Sequence, residues 1–161
     1  MAEQLALQVG DKSPDFCLPD HKEEDVCLNS LNGKWIVLYF YPKDNTTGCT
    51  TEALDFTSHL EDFESLGVTV LGVSPDKPAS HKKFRDKKGL KITLLSDPEK
   101  KVLEQYGVWQ LKKVCGKECM GVARSTFIIN PEGTIAHIWP KVKVKGHVEE
   151  VKQKLAELKE Q

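Results

Sequence analysis

Residues 35–49 read Trp-Ile-Val-Leu-Tyr-Phe-Tyr-Pro-Lys-Asp-Asn-Thr-Thr-Gly-Cys (WIVLYFYPKDNTTGC), and the architecture follows from the change of character at Pro42. Trp35–Tyr41 is an unbroken apolar, β-branched and aromatic run. It lacks the polar alternation of a half-exposed strand, so it predicts a strand covered on both faces, as in parallel sheets. Pro42 closes it and Lys43–Gly48 forms a loop. Cys49–Leu66 then predicts a helix, with Ala53, Phe56, Leu60 and Phe63 on one stripe and acidic residues between them. The carboxyl end of such a strand is where open α/β sheets bind ligands.

The alternation continues outward. Gly67 stops the helix, and Val68–Val73 is a second buried strand. Pro78–Lys88 predicts a helix ended by Gly89, Ile92–Leu95 a short strand, and Pro98–Tyr106 a helix opened by proline and ended by Gly107. Ser125–Asn130 and Thr134–Trp139 flank Pro131-Glu132-Gly133 as a β-hairpin. His147–Glu160 carries Val148, Val151, Leu155 and Leu158 at helical spacing. This order describes an α/β chain with a mixed central sheet flanked by helices and matches a thioredoxin-like fold. The segment around Val26 and Leu28 adds an N-terminal β-hairpin extension. No repeat or Pro/Gly/Ser linker interrupts the chain, so residues 1–161 are read as one domain.

The chain has 161 residues, 29% charged and 39% hydrophobic, with a formal net charge of -1. At this length roughly 68–70% of the unfolded surface is buried on folding. Near-neutrality argues against a general nucleic-acid or anionic-membrane binder, and no apolar run approaches the roughly 18 residues of a membrane span. The N-terminus has no basic start or long apolar region, so a cytoplasmic protein is expected. Five cysteines are present: Cys17, Cys27, Cys49, Cys115 and Cys119. The odd number argues against a disulfide framework.

Cys49 opens a helix after a buried strand, where free N–H groups and the helix dipole favour a thiolate. A hundredfold tilt of a thiol–thiolate equilibrium takes about 2.7 kcal/mol, whereas a helix terminus ordinarily supplies about 0.3–1 kcal/mol. A further donor or fixed positive charge is therefore expected. Only Arg85 and Arg124 are arginines, and Arg124 directly precedes the apolar strand STFIIN. On spacing alone, an edge arginine paired with a carboxylate is the simpler reading of Arg124; the alternative points it into the site, charged even when partly desolvated. Thr46 is either a capping or turn hydroxyl or a donor and acceptor aimed at the sulfur.

Residues Pro42–Cys49 carry the P-x-x-x-T-x-x-C motif of peroxiredoxins. With YFYPKDNTTGCTTEA and GVARSTFIIN, the chain resembles the bacterioferritin comigratory (Q-type) subfamily, from VGDKSPDF to KVKVKGHVEEV. The resemblance implies a thiol-dependent peroxidase acting on hydrogen peroxide and organic hydroperoxides, with no cofactor or metal. Cys49 would be the peroxidatic cysteine, oxidised to a sulfenic acid. Thr46 would bond the thiolate and the peroxide, and Arg124 would stabilise the charge that develops as the O–O bond breaks. Pro42 would shield the sulfur, and Glu52 would orient Arg124, although a carboxylate in the first turn also suits the helix dipole. The reductant would be thioredoxin or a similar thiol donor, and relatives of this type are often monomers.

The chain departs from the family at the resolving cysteine. One usual position holds Leu54, and the other, in SHKKFRDKK, holds Phe84 and Arg85. Cys119 or Cys115, in KKVCGKECMGVAR, is a candidate replacement if it comes within disulfide reach of Cys49. The alternative is a one-cysteine cycle. If helical, C-x-x-x-C would put both thiols on one face, which also suits a redox-sensing or metal-binding module. A thiol–disulfide oxidoreductase is disfavoured because no C-x-x-C stands at the first helix. Cys17 and Cys27, in the outer hairpin, could pair across strands but are expected as reduced packing residues. The lysines of Lys141–Lys145 are expected on a solvated strand face.

Overall fold

Even and odd residues of the first long strand enter two separate cores. The computed structural model describes residues 7–114 and 116–160. Strand β3 (Trp35–Phe40) lies at the centre of a five-stranded sheet, between β4 (Val68–Ser74) and β8 (Ser125–Ile129). Beyond them stand β5 (Thr93–Ser96) and β9 (Ile135–Trp139), giving the order β5-β4-β3-β8-β9. β3, β4 and β5 are parallel, while β8 and β9 run antiparallel to their neighbours. Ile36, Leu38 and Phe40 join one core and Val37, Tyr39 and Tyr41 the other. Such two-sided burial is why the sequence shows no polar alternation there.

On one face lie α1 (Thr47–Ser58), α2 (Leu60–Ser65), α3 (Pro78–Lys88) and α5 (His147–Lys159), which contribute Phe56, Phe63, Phe84 and Val151. The opposite face is covered by α4 (Lys101–Gln105) and by the outer hairpin of β1 (Cys17–Pro19) and β2 (Asp25–Cys27), which runs into a 3-10 turn at Leu28–Leu31. This is the thioredoxin-like fold expected from the element order, with its N-terminal hairpin. Gly89 ends α3 in the left-handed region (φ 66°) as anticipated. Gly72 has a different reason to be glycine: a Cβ there would sit 2.8 Å from Cζ of Tyr39.

Several expectations need correction. The helix expected over Cys49–Leu66 is broken at His59 into α1 and α2. Ser58 Oγ donates to the Asp55 carbonyl (3.1 Å), the local competition by which serine bends helices. Helix α4 begins only at Lys101, because Lys100 adopts φ 62° after the turn at Pro98 and Glu99. The segment around Cys119 is not helical. It is a hairpin of β6 (Trp109–Val114) and β7 (Lys117–Val122), in which Cys119 stands opposite Lys112. Residues 141–145 form no strand, and Val142 N–H instead donates to the Arg124 carbonyl (2.8 Å). Cys17 and Cys27 are joined by a disulfide, because antiparallel register sets them directly opposite with Cα atoms 4.0 Å apart. Cys17 is exposed and does not pack.

Candidate active site

Cys49 and Arg124 lie 75 residues apart in sequence. They meet because β8 pairs with β3 so that Ser125 is opposite Phe40. The residue before β8 thus reaches the end of β3, where the Pro42–Thr46 loop leads into α1. The Arg124 backbone is gripped on both sides: Ala123 N–H donates to the Val108 carbonyl, and Val142 N–H to that of Arg124 (both 2.8 Å).

The Arg124 guanidinium then forks. Nη2 donates to Cys49 Sγ at 3.3 Å and Nη1 donates to Glu52 Oε1 at 2.7 Å. Glu52 lies three residues after Cys49 on α1, so both point from one helix face. Only a planar guanidinium serves the two at once. Gly48 leaves room for it, since a Cβ there would lie 3.2 Å from Nη2. Cys49 is 2% exposed and Glu52 is fully buried.

Electrostatics tighten this arrangement. Burial works against the charge of Arg124, but Glu52 and Cys49 outweigh it and hold the guanidinium more firmly protonated than a free arginine. Burial pushes the Glu52 carboxyl up to about 7, although Arg124 pulls in the other direction. Oε2 of Glu52 is buried without a hydrogen-bond partner. His147 accompanies the site in neutral form: burial first, then Arg124, lowers its pKa to about 4, and its Nε2 meets Thr126 Oγ1 at 2.8 Å.

Cys49 is the third residue of α1 and Thr46 is its N-cap. Thr46 Oγ1 donates to the Lys43 carbonyl (2.9 Å) rather than to the helix or the sulfur. Pro42 is half-buried at the mouth of the loop. Leu54 is 40% exposed on α1, Phe84 is in the core, and Arg85 Nε donates to the Ile92 carbonyl (3.0 Å). Cys119 is a free, exposed thiol on β7, and Cys115 lies outside the described residues. Among the described residues no group of three or more His, Cys, Asp or Glu side chains is placed to hold a metal ion.

Sequence reading passed over Asp44 and His81. Both are buried, Asp44 within the loop and His81 on α3, with His81 Nδ1 lying 2.8 Å from Asp44 Oδ2. Asp44 stands at one of the unspecified positions of the motif, and a lone histidine in a helix carries no spacing signal.

The AhpC/TSA family model matches residues 9–138. The chain belongs to that family. This peroxiredoxin is 49% identical over 156 residues to peroxiredoxin Bcp of Bacillus subtilis, covering 97% of this chain and 99% of that protein. Peroxiredoxin Q of Xanthomonas campestris superposes with a TM-score of 0.86 at 39% identity, covering 94% of this chain and 96% of that one. The bacterioferritin comigratory protein of the same organism, studied for alkyl peroxide reduction with trapped intermediate and ligand complexes, gives 0.86 at 38% identity over 95% and 98%. The activity of the family, and of this peroxiredoxin, is thiol-dependent peroxide reduction. No helix among the described residues is long and apolar enough to cross a membrane.

Proposed function

We propose that Cys49 is the peroxidatic residue of a single domain spanning residues 1–161, reducing hydrogen peroxide and small organic hydroperoxides. The observation that carries this reading is the Arg124 Nη2 contact to Cys49 Sγ at 3.3 Å. The thiolate attacks the terminal peroxide oxygen and the O–O bond breaks. The sulfur keeps O–H as a sulfenic acid, and the departing hydroxide or alkoxide takes a proton from solvent. Arg124 holds positive charge where the leaving oxygen becomes negative. Glu52 holds Arg124 in plane, and Pro42 keeps water from the sulfur. Thr46 Oγ1, its proton committed to Lys43, offers lone pairs to the peroxide O–H.

Two routes return the sulfenic acid to a thiol: a resolving thiol at Cys119 or Cys115, or direct attack by an external donor such as thioredoxin. Three residues of extended strand carry Cys119 about 10 Å beyond Val122, which favours the external route. The cytoplasm, with its thiol reductants, and a monomeric enzyme fit this cycle. The test is intact mass with peptide mapping after one equivalent of hydrogen peroxide on the reduced protein. A gain of one oxygen on Cys49 with the other thiols free establishes the one-cysteine cycle. Loss of two hydrogens mapped to Cys49–Cys119 or Cys49–Cys115 establishes a resolving cysteine. An unmodified Cys49, or peroxide consumption that survives Cys49→Ser, overturns the assignment.

A further inference from the structure

Asp44 lies inside the reactive loop, between Pro42 and Thr46, and its carboxylate collects donors from three directions. Tyr41 Oη donates to Oδ1 at 2.6 Å, and Ser80 Oγ donates to Oδ2 at 2.7 Å. His81 Nδ1 lies 2.8 Å from Oδ2, and His81 Nε2 lies 2.9 Å from the Leu95 carbonyl. The side chains of His81 and Asp44 are 0% and 3% exposed.

The proton inventory of this cluster is restricted. A carbonyl oxygen only accepts, so His81 Nε2 carries a hydrogen. Tyr41 Oη also lies 3.4 Å from Nδ1, but its hydrogen goes to Asp44 Oδ1 at 2.6 Å, so the 2.8 Å contact between Nδ1 and Oδ2 requires one further proton. On Oδ2 it would leave a carboxylic acid whose proton-bearing oxygen must also accept from Ser80. On Nδ1 it gives an imidazolium facing a carboxylate that accepts three hydrogen bonds, and hydrogen bonds to the charged form favour that form. A buried charge is tolerated when it is paired and its remaining bonding capacity is filled. Unlike Glu52 Oε2, no side-chain polar atom of Tyr41, Asp44, Ser80 or His81 is left without a partner.

We infer that Asp44 and His81 form a buried ion pair that holds the Pro42–Thr46 loop in its reactive shape, making both positioning residues for Cys49. The pair ties the loop to α3, and His81 ties α3 to β5 through Leu95. The loop backbone is anchored beside it: Asp44 N–H donates to Asp76 Oδ2 (2.8 Å), which also accepts from Ser74 Oγ (2.8 Å). Asn45 follows in the left-handed region (φ 63°) and Thr46 then caps α1. The direction in which α1 presents its first turn, and with it Cys49, is set two residues after this anchor. The pair is neutral as a whole and neither member bonds the sulfur, so it acts on placement more than on charge.

The inference rests on Cys49 being the reacting thiol, and the test separates the two. Asp44→Asn, His81→Gln, their double variant and Ser80→Ala are compared with wild type at one pH. Two rates are read on each: oxidation of Cys49 by hydrogen peroxide and its alkylation by iodoacetamide. In-line oxygen transfer depends on placement, where about 1 Å costs on the order of 100-fold, whereas alkylation needs chiefly a thiolate. The expected result is a peroxide rate lower by about 10–100-fold with alkylation changed less than about threefold, and a double variant no slower than the slower single one. Folded variants in which both rates are unchanged, or fall together, or whose losses multiply in the double variant, overturn the inference. If the buried variants do not fold, Ser80→Ala decides: it removes one donor to Asp44, and an unchanged ratio of the two rates overturns the inference. Peroxide consumption that survives Cys49→Ser would instead defeat the assignment of Cys49.

Discussion

Arg124 and Glu52 meet at 2.7 Å through one arm of a guanidinium whose other arm touches Cys49. The guanidinium that touches the thiol is thereby also bonded to a carboxyl group on the same helix as the thiol, while its own backbone is held by Val108 and Val142.

Removing that cation is expected to be severe. Arg124→Ala should slow Cys49 oxidation by about 100- to 1000-fold, the cost typical of losing a donor aimed at developing negative charge. Arg124→Lys keeps the charge but not the fork, and should fall between. Stopped-flow mixing with hydrogen peroxide measures both, and an alanine rate near wild type would remove Arg124 from the mechanism.

Glu52 predicts a pH dependence of stability. Its folded pKa of about 7 stands above the ordinary value of 4.5, so between those pH values the folded chain holds a proton that the unfolded chain lacks. The stability associated with Glu52 is fully present below about pH 4.5 and is lost progressively as pH rises to about 7, by up to about 3 kcal/mol. Glu52→Gln should flatten this slope in urea unfolding measured from pH 4.5 to 7.5. A slope equal to wild type would contradict it.

Gly48 offers a way to move Arg124 without altering its charge. Gly48→Ala places a methyl 3.2 Å from Nη2, while the substitution favours helix by up to about 1 kcal/mol. The expected outcome is a peroxide rate reduced by about tenfold with a melting temperature equal to or above wild type. An unchanged rate would mean that the guanidinium yields without cost.

The Cys17–Cys27 disulfide separates stability from chemistry. It closes a short loop, with a sequence separation of 10, for which the chain-entropy model gives about 3 kcal/mol. The outer hairpin also packs on the face of the sheet opposite Cys49. Cys27→Ser should therefore lower unfolding free energy by about that amount and leave the peroxide rate unaltered. A drop in the rate would show that the two faces communicate.

The strand–loop–helix unit around Cys49 was legible because Trp35–Tyr41 has a single interpretation as a doubly covered strand, and because proline and glycine mark the element ends. Arg124 was half legible. Its place before a buried strand marked it as an edge residue, but its proximity to Cys49 depends on β8 choosing β3 as neighbour, a long-range pairing that no local pattern encodes. The hairpin of β6 and β7 was missed because Leu111 and Met120, its cross-strand pair, are 52% and 48% exposed and give no core signal. The Asp44–His81 pair was illegible for the same reason as Arg124: residues 37 apart become partners only through packing of α3.

The 75-residue separation between Cys49 and Arg124 also has a meaning in time. At about 5–20 residues per second of synthesis, Cys49 leaves the ribosome roughly 4–15 s before its cation does. Throughout that interval the nascent thiol has neither β8 beside it nor Arg124 against it. On the roles proposed for Cys49 and Arg124, fast reaction with peroxide would wait for the strand carrying the arginine to dock, and a growing chain would meet an oxidising pulse without the cation that touches its thiol in the folded protein.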